Sequence, residues 1–465
     1  MRPSVAFYER IREGKTVTSA EKHYEKMTQT PIPKLILNLG IPTTISMLIT
    51  SIYNMADTYF VGTIGESAQA ATGVMFTVQA VMQGIAYMLG HGSGTFVSRS
   101  LAEQDTEGAS RYFSSAFFLG GSCGVGIMLL GLIFLHPLVT FLGSTPTIAP
   151  HAMAYGRWIL LAAPFMICSL IMNNGLRYEG KAFYAMIGLT SGGVLNILGD
   201  YILVMRLGLG VYGAGLATAV SQVISFCILL FMFRHMAQSS IHVRWVSRKL
   251  GDYLSIMKVG FPSFIRQSLT AVSTGVLNNV TKPFGDGAIA AMSIVGRYTN
   301  FMMCVGLGIG QGFQPVASFN YPAKKYRRVR QGMLFTTAFV LLFVGTICGI
   351  SFLFAEPVIG LFQKQPQVIA IGAQALRCSA VGMVFMCLSI PVNMLYQSIQ
   401  KPGVSTVLSL LRSGAITIPV LLLGAPLLGL TAIQIAQPAA DILSGLVSIP
   451  FILHVMHTTG ENGHL

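Results

Sequence analysis

Two matching stretches of sequence, 220 residues apart, decide the fold. Residues 65–71 read GESAQAA, and residues 285–291 read GDGAIAA. The same offset relates Gly40 and Pro42 to Gly260 and Pro262, Gly90 and Gly92 to Gly310 and Gly312, and Lys181 to Lys401. Because this offset stays constant from the first apolar stretch to a loop after the fourth, the sequence predicts a chain built as two similar halves.

The composition indicates that the chain folds in a lipid bilayer. Of its 465 residues, 53% are hydrophobic and 10% are charged, whereas soluble domains carry about 25% charged residues. The mean hydropathy is +0.65. A transmembrane helix needs about 20 mostly apolar residues. The apolar stretches are too long for barrel strands, which would be about ten residues with strict alternation. We therefore predict an all-α polytopic membrane protein of about twelve transmembrane helices, which begin near Leu35, Ala71, Ser110, Met153, Phe183, Tyr212, Leu254, Ile289, Met333, Ile369, Val404 and Thr431.

Six helices in each half make the two halves parallel repeats, related by a pseudo-two-fold axis along the membrane normal. Two six-helix bundles with a cleft between them are typical of alternating-access transporters. The predicted organisation is a cytoplasmic tail over residues 1–33, an N-terminal bundle over 34–237, a cytoplasmic linker over 238–252, a C-terminal bundle over 253–457 and a tail over 458–465.

The distribution of Lys and Arg predicts the orientation in the membrane. With the N-terminus in the cytoplasm, 22 of the 30 basic residues lie in cytoplasmic tails and loops. Only Arg206, Lys282 and Lys364 then lie in outward loops. This asymmetry is the one that the positive-inside rule describes, so both termini are expected in the cytoplasm.

The net charge of +14 has the same explanation. The basic residues separate apolar runs, and with only two Trp there is no patch of interleaved basic and aromatic residues of the kind that binds nucleic acid. The predicted surroundings are membrane lipids, with no nucleic-acid partner. Nothing in the sequence requires more than a monomer.

Three acids within apolar spans, Asp57, Asp200 and Asp441, are candidates for a functional site. An Asp at the centre of a transmembrane helix costs about 2.5–3.5 kcal/mol even on insertion scales. Tyr53 precedes Asp57 by four residues, and Asn196 precedes Asp200 by four, so each pair shares a helix face. Both acids are predicted in the outer half of the membrane.

Thr218 and Gln222 form another pair four residues apart, in the sixth span. Three helices of the N-terminal half can thus direct carboxylate, amide and hydroxyl oxygens to one region, which suits a proton relay or a Na⁺ site. Two alternatives stay open: Asp57 and Asp200 could cap helix ends near the headgroups, and the amide and hydroxyl groups could join helices by hydrogen bonds.

The second half offers a less defined polar set. Gln434 and Gln437 share a face of the last helix with Asp441, which could line a cavity or pair with a buried Arg. The eighth span contains Gln311 within a run of glycines at 306, 308, 310 and 312. The run is typical of close helix packing, and a flexible, cavity-lining helix is the alternative.

Across nearly its whole length, the chain resembles bacterial members of the multidrug and toxic compound extrusion (MATE) family. The resemblance is carried by GIP at 40–42, DTYFVG at 57–62, GIGQGFQP at 308–315 and NYPAKK at 320–325. It implies twelve helices in two bundles that form a V-shaped cleft, in the bacterial inner membrane. It also implies export of cationic, often planar drugs in exchange for H⁺ or Na⁺, with no other cofactor.

The resemblance places the cation site of the family on four residues that the polar pattern had already singled out: Asp57, Asn196, Asp200 and Thr218. It adds Tyr53, Tyr155 and Asn173 as residues of the N-terminal cavity. Asn173 is expected nearer the cytoplasmic end than the others. Some members of the family carry acids in the seventh and tenth helices, where this chain has the neutral Gln267 and Asn393. Coupling is therefore predicted through the N-terminal acids.

Two other functions were considered. A flippase of lipid-linked sugars, from the same wider superfamily, needs a strongly basic central cavity. Four arginines in or near spans would have to converge on the cleft, namely Arg266, Arg297, Arg377 and Arg412. An intramembrane enzyme is not expected, because the sequence has no nucleophile–base pair and no metal motif.

Overall fold

The computed structural model describes residues 19–458, apart from the side chains of Ser19, Ala20 and Thr458. The predicted tails at 1–33 and 458–465 therefore lie largely outside the described residues. Within residues 19–458 the chain is helical and contains no strand. The twelve long helices, labelled here α1 to α12, are Ile32–Gly62, Glu66–Ala102, Thr106–Ile133, Ala149–Tyr178, Ala182–Arg206, Gly210–Met236, Leu250–Thr281, Asp286–Asn320, Tyr326–Leu353, Pro366–Ser398, Pro402–Leu428 and Leu430–Thr458.

Eleven of these helices are long and apolar enough to cross a membrane. The exception is α7, which has 32 residues but includes Asp252, Lys258 and Arg266. Each predicted start falls within seven residues of the observed one, so the prediction of an all-α protein with about twelve spanning helices is confirmed. At 1.5 Å per residue a 28-residue helix is about 42 Å long, more than the roughly 30 Å of bilayer hydrocarbon.

The backbone repeats with the offset that the sequence shows. Residues with positive φ recur 220 positions apart, at Gly65 and Gly285, Gln104 and Lys324, and Gly180 and Gln400. Short helices follow α3 and α9 at Leu135–Phe141 and Ala355–Gly360. Even single hydrogen bonds repeat: the Asn173 amide donates to the Ala185 carbonyl and the Asn393 amide to the Ser405 carbonyl, each at 2.8 Å. The two bundles are therefore two copies of one fold.

The bundles pack against each other at the end where α1 begins and α8 ends. There α1 lies against α8, and α2 lies against α7. Glycines permit this approach, because a Cβ at Gly312 would overlap the backbone of Gly40, and a Cβ at Gly260 would overlap the Met88 carbonyl. Of the glycine run in α8, Gly308 and Gly312 thus serve close helix packing. We call this the closed end.

Towards the opposite end, the described residues form no further hydrogen bonds between the bundles. Among the described residues, the inter-bundle hydrogen bonds farthest from the closed end join Asn300 to Ser51 at 2.8 Å and Gln267 to Gln83 at 2.7 Å. Beyond them the Tyr59 side chain, near the end of α1, is 68% exposed. We call this the open end.

A short helix, Ser19–Gln29, lies across the closed end. Its His23 ring packs edge-on against Phe319 of α8, with ring centroids 5.4 Å apart, and also contacts Gly180 between α4 and α5. The Met27 carbonyl accepts hydrogen bonds from Asn320 and Arg328. This helix therefore touches both bundles.

Candidate functional site

The candidate site is built on α1, α4, α5 and α6 of the N-terminal bundle. Asp57 lies in the last turns of α1, and its carboxylate meets α4, where the Tyr155 hydroxyl donates to Asp57 Oδ2 at 2.9 Å. Tyr155 is 2% exposed, so the hydrogen bond is shielded from solvent. The other carboxylate oxygen, Asp57 Oδ1, is buried and has no hydrogen-bond partner.

Behind this pair, α5 and α6 contribute three further polar residues, all buried. The Asn196 amide donates to Thr218 Oγ1 at 3.1 Å, and Thr218 in turn donates to the Ala214 carbonyl at 3.0 Å. Asp200 is fully buried. Neither of its carboxylate oxygens has a partner, and Asn196 Oδ1 also lacks one. Tyr155 interacts electrostatically with both Asp57 and Asp200.

Within residues 19–458, four buried oxygens from three side chains thus have no hydrogen-bond donor: Asp57 Oδ1, Asn196 Oδ1 and both carboxylate oxygens of Asp200. An ionised carboxylate in that position is costly unless it gains a proton or a cation. Carboxylate, amide and hydroxyl oxygens are the ligands that hard cations prefer. Within residues 19–458 there is no cluster of three His, Cys, Asp or Glu. The donor set therefore fits a proton or a Na⁺ better than a transition metal.

The helix α5 is irregular directly after Asp200. Directly after Asp200, residues Tyr201–Arg206 of α5 form a π-helical turn. Such turns are frequent at functional sites because the extra residue displaces side chains from the α-helical pattern. No pattern in the sequence predicts this turn.

A cavity of about 370 Å³ lies in front of these residues. Asp57, Tyr155 and Thr218 form part of its wall, and so do the predicted Tyr53 and Gln222. Asn196 and Asp200 do not line it and lie behind that wall. Sequence reasoning missed six further lining residues, Asn54, Gln79, Gln83, Ile159, Ala162 and Met166. Of these, Gln79 and Gln83 could have been found, because two glutamines four residues apart in an apolar span are the same kind of signal as Thr218 and Gln222.

A comparison with known families decides the identity of the chain. The MatE family profile matches residues 42–202 and again residues 262–423, one match in each half. The chain belongs to the multidrug and toxic compound extrusion (MATE) family. Its membership and its apolar helices make it a multi-pass membrane protein of a transporter family.

Curated relatives of this MATE protein include two bacterial multidrug export proteins. The chain is 26% identical over 420 residues to the multidrug export protein MepA of Staphylococcus saprophyticus, a match that covers 90% of this chain and 92% of the relative. It is 27% identical over 435 residues to MepA of Staphylococcus aureus strain MSSA476, covering 92% and 94%.

Solved structures of MATE transporters share the fold. A MATE transporter in complex with MaL6 superposes with a TM-score of 0.86 at 24% identity, covering 95% of this chain and all of that one. An outward-facing multidrug resistance MATE transporter gives the same TM-score and identity, with 96% and 100% covered.

Two predicted cavity residues of this MATE protein lie elsewhere. Asn173 is 8% exposed, does not line the 370 Å³ cavity, and joins α4 to α5 through its bond to the Ala185 carbonyl. Gln311 is buried where the bundles meet and accepts a hydrogen bond from Arg177. Asn173 is expected at the cavity from the family resemblance and Gln311 from its place in a glycine-rich span, and neither argument determines which groups the amide contacts.

Asp441 pairs with a buried arginine, which was the alternative to a cavity-lining role. Arg412 Nε donates to Asp441 Oδ1 at 2.9 Å, with side chains 10% and 5% exposed. Gln437 donates to the same oxygen at 3.3 Å. The neutral Gln267 bonds to Gln83 of the other bundle.

Proposed function

We propose that this protein exports small organic cations, including drugs, in exchange for H⁺ or Na⁺, by alternating access across the plasma membrane. The observation that carries the proposal is the set of four unpartnered oxygens on Asp57, Asn196 and Asp200, beside a cavity of about 370 Å³. The multidrug export activity named for the MepA relatives supports the same substrate class. We further propose that the chain works as a monomer with both termini in the cytoplasm, so that the open end faces outward.

Asp57 is the residue at which drug and coupling ion compete. Its carboxylate faces the cavity, and the Tyr53 ring on the same helix face can contact a planar cation through its π-system. When a proton or Na⁺ enters from outside and neutralises the Asp57 and Asp200 carboxylates, the organic cation loses its electrostatic partner and leaves. Coupling requires that the ion stabilise the conformation that the drug disfavours.

Tyr155 connects the two parts of the site. Its hydroxyl holds Asp57 in the cavity wall and lies within electrostatic reach of Asp200 behind it. Asn196 and Thr218, joined to each other, supply amide and hydroxyl oxygens on the same side. A coupling ion would therefore sit between α1 and α5, behind the wall that the drug touches.

The test uses purified protein in liposomes with ethidium as the fluorescent organic cation. Movement of ethidium is measured under an imposed pH gradient and separately under a Na⁺ gradient. We expect transport to respond to one of the two and to be lost in Asp57→Asn. The matched control is Glu66→Gln, which changes an exposed acid at the same end of the bundle and should keep transport. Ethidium movement that ignores both gradients, or that is equal in Asp57→Asn and wild type, refutes the proposal.

A flippase of lipid-linked sugars is the second candidate, on one observation. Arg266 and Arg412 line a single cavity. The other two arginines do not join them, because Arg297 is exposed and Arg377 pairs with Glu356 at 3.3 Å in a largely exposed ion pair. Two of four arginines do not make the strongly basic central cavity that pyrophosphate recognition needs, so drug export is preferred.

A further inference from the structure

A second cavity, of about 290 Å³, lies inside the C-terminal bundle. Helices α7, α8, α10 and α11 surround it. None of its lining residues is acidic, and its polar lining consists of Arg266, Ser389, Asn393, Ser409, Arg412 and Ser413. The cavity is thus lined by two guanidinium groups and several neutral polar groups.

Only one of the two arginines has its charge compensated. Arg412 is paired with Asp441, as described above. Arg266 is 8% exposed, and its Nη1 is buried without a hydrogen-bond partner. Arginine keeps its charge in proteins, so Arg266 cannot escape the cost of burial by losing a proton.

The surroundings of Arg266 supply no counter-charge in the described part of the chain. The groups that act on it electrostatically are Tyr87, Arg412, Arg177 and Tyr178, none of them a carboxylate. Two of the four are themselves cations. The cavity therefore has a net positive charge that the described side chains do not balance.

Neutral groups around the cavity can complete an anion site. Ser409 Oγ accepts a hydrogen bond from the Asn393 amide at 2.9 Å. A hydroxyl has one hydrogen to donate, and this arrangement leaves that hydrogen available for another acceptor. Arg412 is held beside Ser409 by a π-helical turn over Leu411–Ala415, which interrupts α11 at the cavity.

We propose that this cavity binds an oxyanion, a carboxylate or a phosphate group, between Arg266 and Arg412. The planar guanidinium group offers paired N–H donors that match the two oxygens of such a group. The cavity is small, so the group that it binds is a small anion or the anionic head of a larger molecule. The proposed anion site lies in the C-terminal bundle, whereas Asp57 lies in the N-terminal bundle. The proposal therefore does not depend on whether the protein exports drugs.

The experiment measures thermal unfolding of the purified full chain in neutral detergent, followed through exposure of its seven cysteines to a thiol-reactive dye. Three probes are titrated at constant ionic strength: inorganic phosphate, acetate and a short-chain phosphatidic acid, each against chloride. We expect at least one probe to raise the unfolding temperature in a saturable way. Stabilisation by phosphate or acetate identifies a soluble anion as the source, whereas stabilisation by the lipid alone identifies a headgroup.

Arg266→Gln should weaken binding of that probe at least tenfold. Arg297→Gln, which removes an exposed arginine on the neighbouring helix α8, is the matched control and should bind as wild type does. If Arg266→Gln does not fold, Ser409→Ala replaces it and should weaken binding several-fold. The proposal is overturned if no probe stabilises the wild type more than chloride does. It is equally overturned if the cavity variant that folds binds as tightly as Arg297→Gln.

Discussion

Replacing Gly260 with alanine tests the helix contact on which the proposed alternating access depends. Gly260 lies in α7 against the α2 backbone, and a Cβ there would overlap the Met88 carbonyl oxygen and lie 2.6 Å from the carbonyl carbon. The obstacle is main chain, so no side-chain rotation relieves it. The Cβ would lie 1.8 Å from that oxygen, so to restore an ordinary contact of 3.4 Å or more the helices must separate by about 1.6 Å.

Overpacking of this kind costs about 1–3 kcal/mol. This free-energy cost applies only to the conformation in which α7 packs against α2 at the closed end. Because about 1.4 kcal/mol corresponds to a factor of ten, the population of that conformation should fall by about 5- to 150-fold. An exporter must visit both conformations, so we expect transport to slow by a similar factor.

The assay is the initial rate of ethidium transport in proteoliposomes, normalised to folded protein. The control is Gly275→Ala, on the same helix, where a Cβ would meet nothing within 4 Å. If Gly260→Ala transports at the wild-type rate, the glycine contact does not limit the conformational change. If Gly275→Ala is equally slow, the effect belongs to α7 as a helix and not to its contact with α2.

Three further predictions concern single side chains. Tyr155→Phe removes a hydrogen bond to the Asp57 carboxylate, worth about 1.5–3 kcal/mol for a charged acceptor, and should slow gradient-driven transport about tenfold or more without unfolding the protein. Arg412→Gln leaves Asp441 buried and unpaired, which should lower the free energy of unfolding by about 3–5 kcal/mol in thermal or denaturant unfolding. Burial and nearby lysines lower the pKa of His23 from 6.5 to about 3. Docking of the helix Ser19–Gln29 should therefore be strongest above pH 6.5 and weaken as the pH falls towards 3, by up to about 1.4 kcal/mol per pH unit, measured by protease protection of that helix.

Each of these has a matched comparison. Tyr212→Phe changes an exposed tyrosine of α6 and should leave transport unchanged. Arg377→Gln breaks an exposed ion pair with Glu356, so it should cost less than about 1 kcal/mol, and equal losses in Arg377→Gln and Arg412→Gln would contradict the assigned cost of burial. His23→Leu should remove the pH dependence of docking, and its persistence would assign the effect to another group.

The repeat and the spans could be predicted because each depends on many residues at once. A constant offset of 220 survives local divergence, and it reappears in backbone features that the sequence does not display, such as the positive φ of Gln104 and Lys324. Span positions follow from hydropathy averaged over about 20 residues. The seventh helix shows this averaging, because an apolar stretch from near Leu254 predicts it although Lys258 and Arg266 reduce its apolar character.

The candidate site could be predicted only in part, since isolated polar residues in apolar spans identify a helix face but not a depth. The cost of burying a charge singles out Asp57 and Asp200, and the packing of α1 against α5 brings the two acids within electrostatic range of each other. The family resemblance places Asn173 in the cavity although its position in the span predicts a greater depth, and in the structure its amide bonds to the Ala185 carbonyl. The pairing of Arg412 with Asp441 needs the packing of α11 against α12, which no local pattern encodes.

The two halves have the same fold, but the charged residues buried in them have opposite signs. This difference has a structural basis. Each half interrupts its fifth helix with a π-helical turn beside a charged residue, Asp200 in α5 and Arg412 in α11. Arg412 comes about two turns earlier in its helix than Asp200 does, so the basic group lies nearer the closed end. The acid of the N-terminal bundle therefore lies nearer the open end, and the base of the C-terminal bundle lies nearer the closed end. One fold, copied twice, thus provides two sites of opposite polarity, and an ion that neutralises the first leaves the positive charge of Arg266 in the second unchanged.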